Sequence, residues 1–431
     1  MNNKVLISLL ISPLFLSNVA SAAKCSDVSE TIANKLEKNY VIPSTATKLS
    51  QLVRSKTFIN DCNNLQSSEE IAEFMTSELN KVANDRHLSV VYDPLWVNEL
   101  KAYHSSAQTE SFADSRVMET PTDNYGFKKV EMLDGNIGYL DLRAFSDSHL
   151  GGETLENAMK FLQHADGIII DLRNNFGGSP FMVTSLASYF FDLDTVHLST
   201  FEQRNDGVLT QTQDWTSPYV PGPRFKDTPL YILTSSNSAS AAEGFSYAMQ
   251  NLSRATIVGE VTAGAAHARS AEIVNNDYIL TLPSARPVDP RTKDNWERKG
   301  VKPNIETSSD NALNVAYAEV LYTLIKSKNL GLHKWVYPLA KAKSSQYQPS
   351  QIDFNQIVGA FGERKIFQER DKLYYQYSND PAFEIELLDK ETIIFKAFTG
   401  ARLQVIYKDK QVIALKMLSL GEDERVFQRT M

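Results

Sequence analysis

The sequence predicts an α/β core between an N-terminal helical domain and a C-terminal β-rich domain. Apolar residues recur at helical spacing from Ser26 to about Asp93. Strand and helix patterns then alternate through residues 125–330, as they do in a sheet covered by helices. The segment 335–431 holds short strand-like runs separated by polar turns, which predict a separate β-rich domain.

The N-terminus has the three parts of a secretory signal peptide. Lys4 gives a positive start, an apolar run follows, and the small residues 20–22 form a cleavage site. We therefore expect residues 1–22 to be removed and the mature chain to begin near Ala23, in the periplasm or outside the cell. No later stretch approaches the roughly 20 apolar residues that a membrane span needs. A retained N-terminal anchor is the alternative.

The helical domain is predicted over 23–105, followed by a linker over 106–124 that has no sustained period. The SSEE motif from Ser67 to Glu70 is a helix start, because a serine cap precedes acidic residues in the first turn. Cys25 and Cys62 are the two cysteines of the chain. An oxidising compartment favours one disulfide between them, and two free thiols are the alternative.

The composition excludes some classes of function. Hydrophobic residues make up 42% and charged residues 22% of the chain, which is typical of globular proteins and not of disordered ones. The net charge of -8 provides no basic field for a phosphate backbone, so nucleic acid is not an expected partner. The oligomeric state stays open.

Two loops of the predicted core hold the candidate chemistry. One is TSSNSASAAEGF, where a strand passes almost at once into a helix, and unpaired N–H groups of the first helical turn can bind an oxyanion. Ser240 stands there among small neighbours, as a candidate nucleophile or as an ordinary helix cap. The other is DLRNNFGGSP, in which Gly177 and Gly178 expose backbone N–H groups or make a tight turn. Both loops follow strands, and open α/β sheets place their sites at that edge.

These motifs, taken in order, resemble a known family. DLRNNFGG, SNSASAAEGF and VGEVTAGAAH are similar to the catalytic core of the C-terminal-processing (tail-specific) proteases, and closest to the branch with interphotoreceptor retinoid-binding protein and the tricorn core. The resemblance extends to NWERKGVKPNIE, YVIPSTATKL and NDRHLSVVYDP and covers about residues 26–328. It implies a crotonase/ClpP-like ββα core and a serine peptidase that cleaves peptides or proteins.

The resemblance also implies roles for residues of this chain. Ser240 matches the nucleophile, and Ala241, Gly177 and Gly178 match the backbone donors of the oxyanion hole. The general-base lysine of the tail-specific branch would fall at Ala265, so a serine-lysine dyad is excluded.

The missing lysine leaves the tricorn-like arrangement, in which a histidine of the helical domain activates the serine and a carboxylate supports it. His87 matches that histidine and Glu297 matches that carboxylate. His267 is the rival base, because it follows the loop that replaces the lysine. Arg86 stands where tricorn has a second catalytic hydroxyl, and we expect it to alter the site or to contact an acidic group of the substrate.

Other chemistries lack their minimum parts. The sequence contains no HExxH, paired CxxC, phosphate-binding loop or dinucleotide glycine motif, so no metal and no cofactor is expected. The serine elbow GxSxG is also missing. A short linker takes the place where many family members carry a PDZ domain. Two alternatives stay open: a binding protein for an apolar ligand, and a hydrolase of non-peptide esters or amides.

Overall fold

The computed structural model describes residues 25–85, 87–105, 121–328 and 331–430. The predicted signal peptide, Arg86 and most of the predicted linker lie outside these ranges. In them, no helix combines the length and the apolar character that a bilayer crossing requires.

The described ranges contain α-helices and β-strands, numbered in chain order. The helices are α1 Cys25–Asn39, α2 Pro43–Val53, α3 Lys56–Asn63, α4 Ser68–Ala83, α5 Pro94–Ser105, α6 Ser148–Phe161, α7 Pro180–Ser188, α8 Ala241–Asn251, α9 Ser309–Ser327, α10 Gly331–Ser344 and α11 Gln351–Ile357. The strands are β1 Ser89–Tyr92, β2 Phe127–Leu133, β3 Ile137–Leu142, β4 Gly167–Asp171, β5 His197–Asn205, β6 Val208–Trp215, β7 Leu230–Thr234, β8 Thr256–Gly259, β9 Ala268–Ile273, β10 Tyr278–Val288, β11 Ile305–Glu306, β12 Gly359–Phe361, β13 Arg364–Glu369, β14 Lys372–Tyr377, β15 Phe383–Leu387, β16 Thr392–Phe395, β17 Ala401–Lys408, β18 Gln411–Ser419 and β19 Arg425–Gln428.

The chain divides into two compact units. The first takes residues up to 108 together with 204–209 and 269–284, and the second takes the remainder. These units differ from the predicted domains, which were contiguous along the chain. In the first unit, β1 pairs antiparallel with the start of β10, from Ser89 opposite Thr281 to Tyr92 opposite Tyr278. Periodicity identifies a strand but not its partner, so the sequence does not show this distant pairing.

The first unit is built on α1 to α4, whose apolar faces meet in one core with residues of β1 and β10. The Ser67 side chain accepts from the Glu70 N–H and the Glu70 carboxylate accepts from the Ser67 N–H, which forms the cap that starts α4. Cys25 and Cys62, both buried, are joined by a disulfide that links α1 to α3.

Reduction of this disulfide is expected to destabilise the first unit. The bridge closes a separation of 37 residues, and the chain entropy that it removes from the unfolded state corresponds to about 4 kcal/mol. Thermal unfolding with and without reductant measures the effect. Intact mass with thiol alkylation gives the state of the cysteines, and alkylation of the unreduced protein would refute the bridge.

The second unit contains a six-stranded sheet in the order β11-β8-β7-β4-β3-β2. Its strands are parallel except for β2, which pairs antiparallel with β3. Side chains alternate between two cores, so Ile168 and Ile170 pack on one face and Ile169 on the other. The continuous apolar runs of the sequence arise because helices cover both faces. The predicted α/β core and its flanking helical and β-rich parts are confirmed.

The eight strands β12 to β19 form a sequential antiparallel sheet with its own buried core. Five of these strands, β14 to β18, coincide with the short strand-like runs of the sequence over residues 372–418. The sequence did not predict α10, which precedes the sheet and has Pro338 inside it. Trp335 of α10 contacts the sheet through Arg402, whose guanidinium lies 4.3 Å from the indole centroid.

Candidate active site

Three loops of the second unit leave the same edge of the six-stranded sheet. They follow the parallel strands β4, β7 and β8 and cover residues 172–178, 235–240 and 260–267. The carboxyl ends of parallel strands meet at one edge, and that edge is where such sheets bind ligands. The first two loops are those that the sequence singled out.

The loop after β7 is held against the loop after β4. Ser238 is fully buried and donates from its hydroxyl to the Leu172 carbonyl at 2.7 Å. The Ala239 N–H donates to the Asn175 carbonyl at 3.0 Å. The Ser238 hydroxyl therefore stabilises the turn. Ser240, in the same turn, is half-buried.

Ser240 has the backbone of a strained turn. Its φ of 53° and ψ of -117° lie outside the extended region that a helix-capping serine ordinarily adopts. A non-glycine residue with positive φ costs energy, and such residues concentrate at functional sites where the surroundings hold them. The residue directly precedes α8, beside the N–H of Ala241, which has no partner within the helix.

Glu243 holds this turn in place. Its buried carboxylate accepts from the Ser240 N–H at 2.9 Å, and from the Thr262 hydroxyl and the Gly264 and Ala265 N–H groups at 2.5, 2.6 and 2.9 Å. Burial raises the pKa of Glu243, and these hydrogen bonds oppose that shift. One carboxylate thus joins the nucleophile turn to the loop after β8. Sequence reasoning missed this residue, although it stands inside the SASAAEGF motif.

Replacing Glu243 by glutamine is expected to destabilise the protein by about 3 kcal/mol, because an amide nitrogen would face N–H donors at a buried site. Activity should fall with it, since the Ser240 turn loses its anchor. Urea denaturation measures the loss. Glu153→Gln, on the exposed surface of α6, is the matched control and should unfold like the parent protein. Equal stability of both variants would contradict the anchoring role.

The predicted oxyanion donors differ in their hydrogen bonds. The Gly177 N–H donates to the Asn175 side-chain oxygen at 2.8 Å, so that group is engaged within its own loop. In the described residues no acceptor is found for the N–H of Gly178, and Ala241 is the first residue of α8, where an N–H has no partner within the helix. In this conformation Gly178 and Ala241 are the two available donors.

Gly177 instead allows its loop to lie close to the Ser240 turn. A Cβ atom there would lie 2.7 Å from the Ser240 Cβ and 3.1 Å from the Ala241 nitrogen, and its φ is +110°. Gly177→Ala is expected to lower kcat/KM by a factor of about 100 or more, because both the nucleophile and the oxyanion donors must move. Gly152→Ala on α6 is the control, since a Cβ there meets open space. Steady-state kinetics of the two variants make the comparison, and unchanged activity of Gly177→Ala would refute the close approach.

The loop after β8 is fastened on its other side by residues 296–298. The Glu297 carboxylate accepts from the N–H groups of Ala266 and His267 at 2.8 and 3.2 Å. The Trp296 indole donates to the Ala265 carbonyl at 3.2 Å. Position 265 holds a buried alanine, whose side chain has no group that could accept a proton. The supporting role predicted for Glu297 toward a catalytic histidine stays a prediction.

His267 lies in this loop with 3% of its surface exposed. Its Nδ1 is 4.0 Å from the Glu297 carboxylate. Its neighbours Ala266 and Ala268 both line the cavity beside Ser240, which His267 itself does not line. The structure therefore places His267 near Glu297 and does not bring it to that cavity.

His87 belongs to the first unit, in the turn between α4 and β1. Its N–H donates to the Asp85 carboxylate at 2.9 Å, and its Nδ1 lies 3.9 Å from the same oxygen. Asp85 is buried and also accepts from the Tyr40 hydroxyl at 3.1 Å. The Thr281 hydroxyl donates to the His87 carbonyl at 2.9 Å. These contacts hold the turn that contains His87. The role of His87 as the base for Ser240 stays a prediction.

An apolar cavity of about 120 Å³ lies beside Ser240 within the second unit. The nucleophile turn contributes Ser240 and Ala241, and the glycine loop contributes Gly178. Its apolar walls are Val183, Leu198, Phe201, Tyr247, Pro287 and Trp296. A serine with a strained backbone, two N–H groups without acceptors in the described residues and a cavity for a side chain are three of the parts that acyl transfer from a peptide requires, and a proton acceptor is the fourth.

Comparison with known proteins agrees with this arrangement. Residues 136–307 match the model of peptidase family S41. Residues 19–121 match the model of the N-terminal domain of Peptidase_S41 in eukaryotic IRBP. Together the two ranges take up more than half of the chain. Both models describe peptidase family S41, so over these two ranges the chain is similar to that family.

Among individual proteins, the chain is similar to carboxyl-terminal-processing peptidase 3, chloroplastic, of Arabidopsis thaliana. The two are 28% identical over 176 residues, and this alignment covers 40% of this chain and 32% of that protein. The chain is 26% identical over 251 residues to carboxy-terminal processing protease CtpA of Bacillus subtilis, covering 56% and 50%. The chain thus spans a third to a half of these relatives. A peptidase structure from Parabacteroides merdae aligns with a TM-score of 0.49 at 18% identity, covering 69% of this chain and 97% of that one.

Proposed function

We propose that the protein is an exported peptidase that cleaves peptide bonds through an acyl-enzyme on Ser240. The observation that carries this proposal is the backbone of Ser240, held at φ 53° and ψ -117° before α8 by the Glu243 carboxylate. A residue held in such a backbone conformation is a candidate functional residue, and a serine nucleophile needs its hydroxyl to be accessible to the substrate.

The chemistry follows from the parts of the site. The Ser240 Oγ bonds to the substrate carbonyl carbon as its proton passes to a base, and the carbonyl oxygen becomes an oxyanion facing the N–H groups of Gly178 and Ala241. The C–N bond then breaks, and the base returns the proton to the leaving amine. Water attacks the ester by the reverse sequence, which releases the new carboxylate and restores the serine.

His87 is the proposed base. Three features support it: the buried Asp85 beside its imidazole, an alanine without a titratable group at position 265, and the absence of His267 from the residues that line the cavity beside Ser240. A buried carboxylate near an imidazole stabilises the cation that forms when the proton is taken up. Asp85 is thus a positioning residue that the sequence pattern did not single out.

Export is supported by the disulfide between Cys25 and Cys62, since disulfides persist in oxidising compartments. The signal-peptide pattern of residues 1–22 points the same way. The N-terminal sequence of the secreted protein, expected near Ala23, tests the proposal.

The experiment that tests the function is cleavage of a mixed peptide library by the purified protein, with products identified by mass. New termini within peptides, absent from a sample pretreated with a serine-directed phosphonate, are expected. Hydrolysis of simple esters without peptide cleavage would favour the ester or amide hydrolase. Tight binding of an apolar ligand with no hydrolysis would favour the binding protein.

A further inference from the structure

The cavity beside Ser240 is lined by two polar residues of the β5–β6 hairpin. Asp214 of β6 and Ser199 of β5 both line it. In the described part of the chain the Asp214 carboxylate makes no ion pair, and the Ser199 hydroxyl is buried without a hydrogen-bond partner. Buried polar groups nearly always have a hydrogen-bond partner, so the Ser199 hydroxyl is open to a polar group that enters the cavity.

The other acid of the cavity is already neutralised. Asp289 forms an ion pair with Arg291 and accepts from the N–H groups of Arg291 and Thr292 at 2.8 and 3.0 Å. Asp214 has no such partner, and burial raises the pKa of its carboxyl, an effect that the nearby His197 opposes. The Nε2 of His197 contacts the Ser199 carbonyl and the Thr200 hydroxyl at 3.0 and 3.1 Å. Of the two acids that line the cavity, Asp214 is the one without an ion pair in the described residues.

A purely apolar side chain would pack against the apolar walls and leave Asp214 and Ser199 without hydrogen-bond partners. Each polar group that loses water without gaining a partner costs free energy. A small side chain would leave the cavity largely empty. A long side chain with an apolar stem and a cationic end satisfies both requirements. Its stem packs on Trp296 and Phe201, and its end donates to Asp214 and Ser199.

We propose that this cavity selects lysine or arginine at the residue whose carbonyl Ser240 attacks. This proposal rests on the proposed function, because a residue whose carbonyl Ser240 attacks exists only if the protein cleaves peptide bonds. Asp214 is then a specificity-determining residue, and Ser199 supplies a second acceptor for the cationic end.

Binding to the Ser240→Ala protein tests the assignment without requiring catalysis. Two eight-residue peptides differ only in carrying lysine or norleucine at the selected position, so they share length and apolar stem and differ in the ammonium group. Calorimetric titration is expected to show at least tenfold tighter binding of the lysine peptide. Adding Asp214→Asn should abolish that preference. Asp194→Asn, an exposed acid of the same unit, removes the same charge and should preserve it.

Equal or tighter binding of the norleucine peptide would overturn the assignment. So would a lysine preference that survives Asp214→Asn, or a tyrosine peptide that binds better than the lysine peptide. If the parent protein cleaves neither peptide while the Ser240→Ala protein keeps the Asp214-dependent preference, the proposed function fails and the cavity assignment stands. If it cleaves both equally and binding shows no preference, the function stands and the assignment fails.

Discussion

Ser240→Ala is expected to lower kcat by a factor on the order of 10⁴ or more, because it removes the hydroxyl of the proposed nucleophile. The fold should survive, since the change removes one half-buried hydroxyl and leaves the Glu243 contact to the backbone of residue 240 in place. Peptide hydrolysis and thermal unfolding of the same sample separate the two effects.

Ser236→Ala is the matched control for this variant. Ser236 lies in the same loop with its side chain exposed, and it should retain the activity of the parent protein. Full activity of Ser240→Ala, or an equal loss in Ser236→Ala, would show that the reaction does not depend on the strained serine.

His87→Ala is expected to lower the acylation rate by a factor on the order of 10³, because serine then lacks its proton acceptor. Activity of the parent protein should fall on acidification, since a protonated imidazole cannot accept the serine proton. The residual activity of the variant should not show this decrease at acidic pH. Stability should change little, because the imidazole is partly exposed and the Asp85 contact to the His87 N–H remains.

His267→Ala distinguishes the two candidate bases. His267 is buried near Glu297, so this variant is expected to keep most of the catalytic rate. Abolished acylation in His267→Ala together with near-normal rates in His87→Ala would place the base in the second unit. The tricorn-like arrangement would then have to be abandoned.

The sequence predicted the parallel strands and helices of the core closely, because long apolar runs and helical periods report burial directly. It also predicted the two loops that surround Ser240. The sequence did not predict the β5–β6 hairpin, because β6 has mostly exposed residues and no alternation of apolar and polar residues. Asp214 stands in that hairpin, so its place in the lining of the cavity had no sequence signal.

Glu243 and Asn175 were missed for a different reason. Both act through backbone N–H and carbonyl groups of neighbouring loops, and such contacts depend on how the loops pack. A glutamate in the first turn of a helix is also what the helix dipole favours, so its position in the sequence suggested no special role. Gly177 shows the converse, because the sequence marked it as an N–H donor and the structure gives it a close approach to Ser240.

The most direct test of the central claim is the site of covalent modification by a fluorophosphonate on the full-length protein. After labelling and digestion, tandem mass spectrometry should place one phosphonyl group on Ser240, and denatured protein should not react. A label on another serine, or none on the folded protein at concentrations that modify other serine peptidases, would contradict the assignment of Ser240 as the nucleophile.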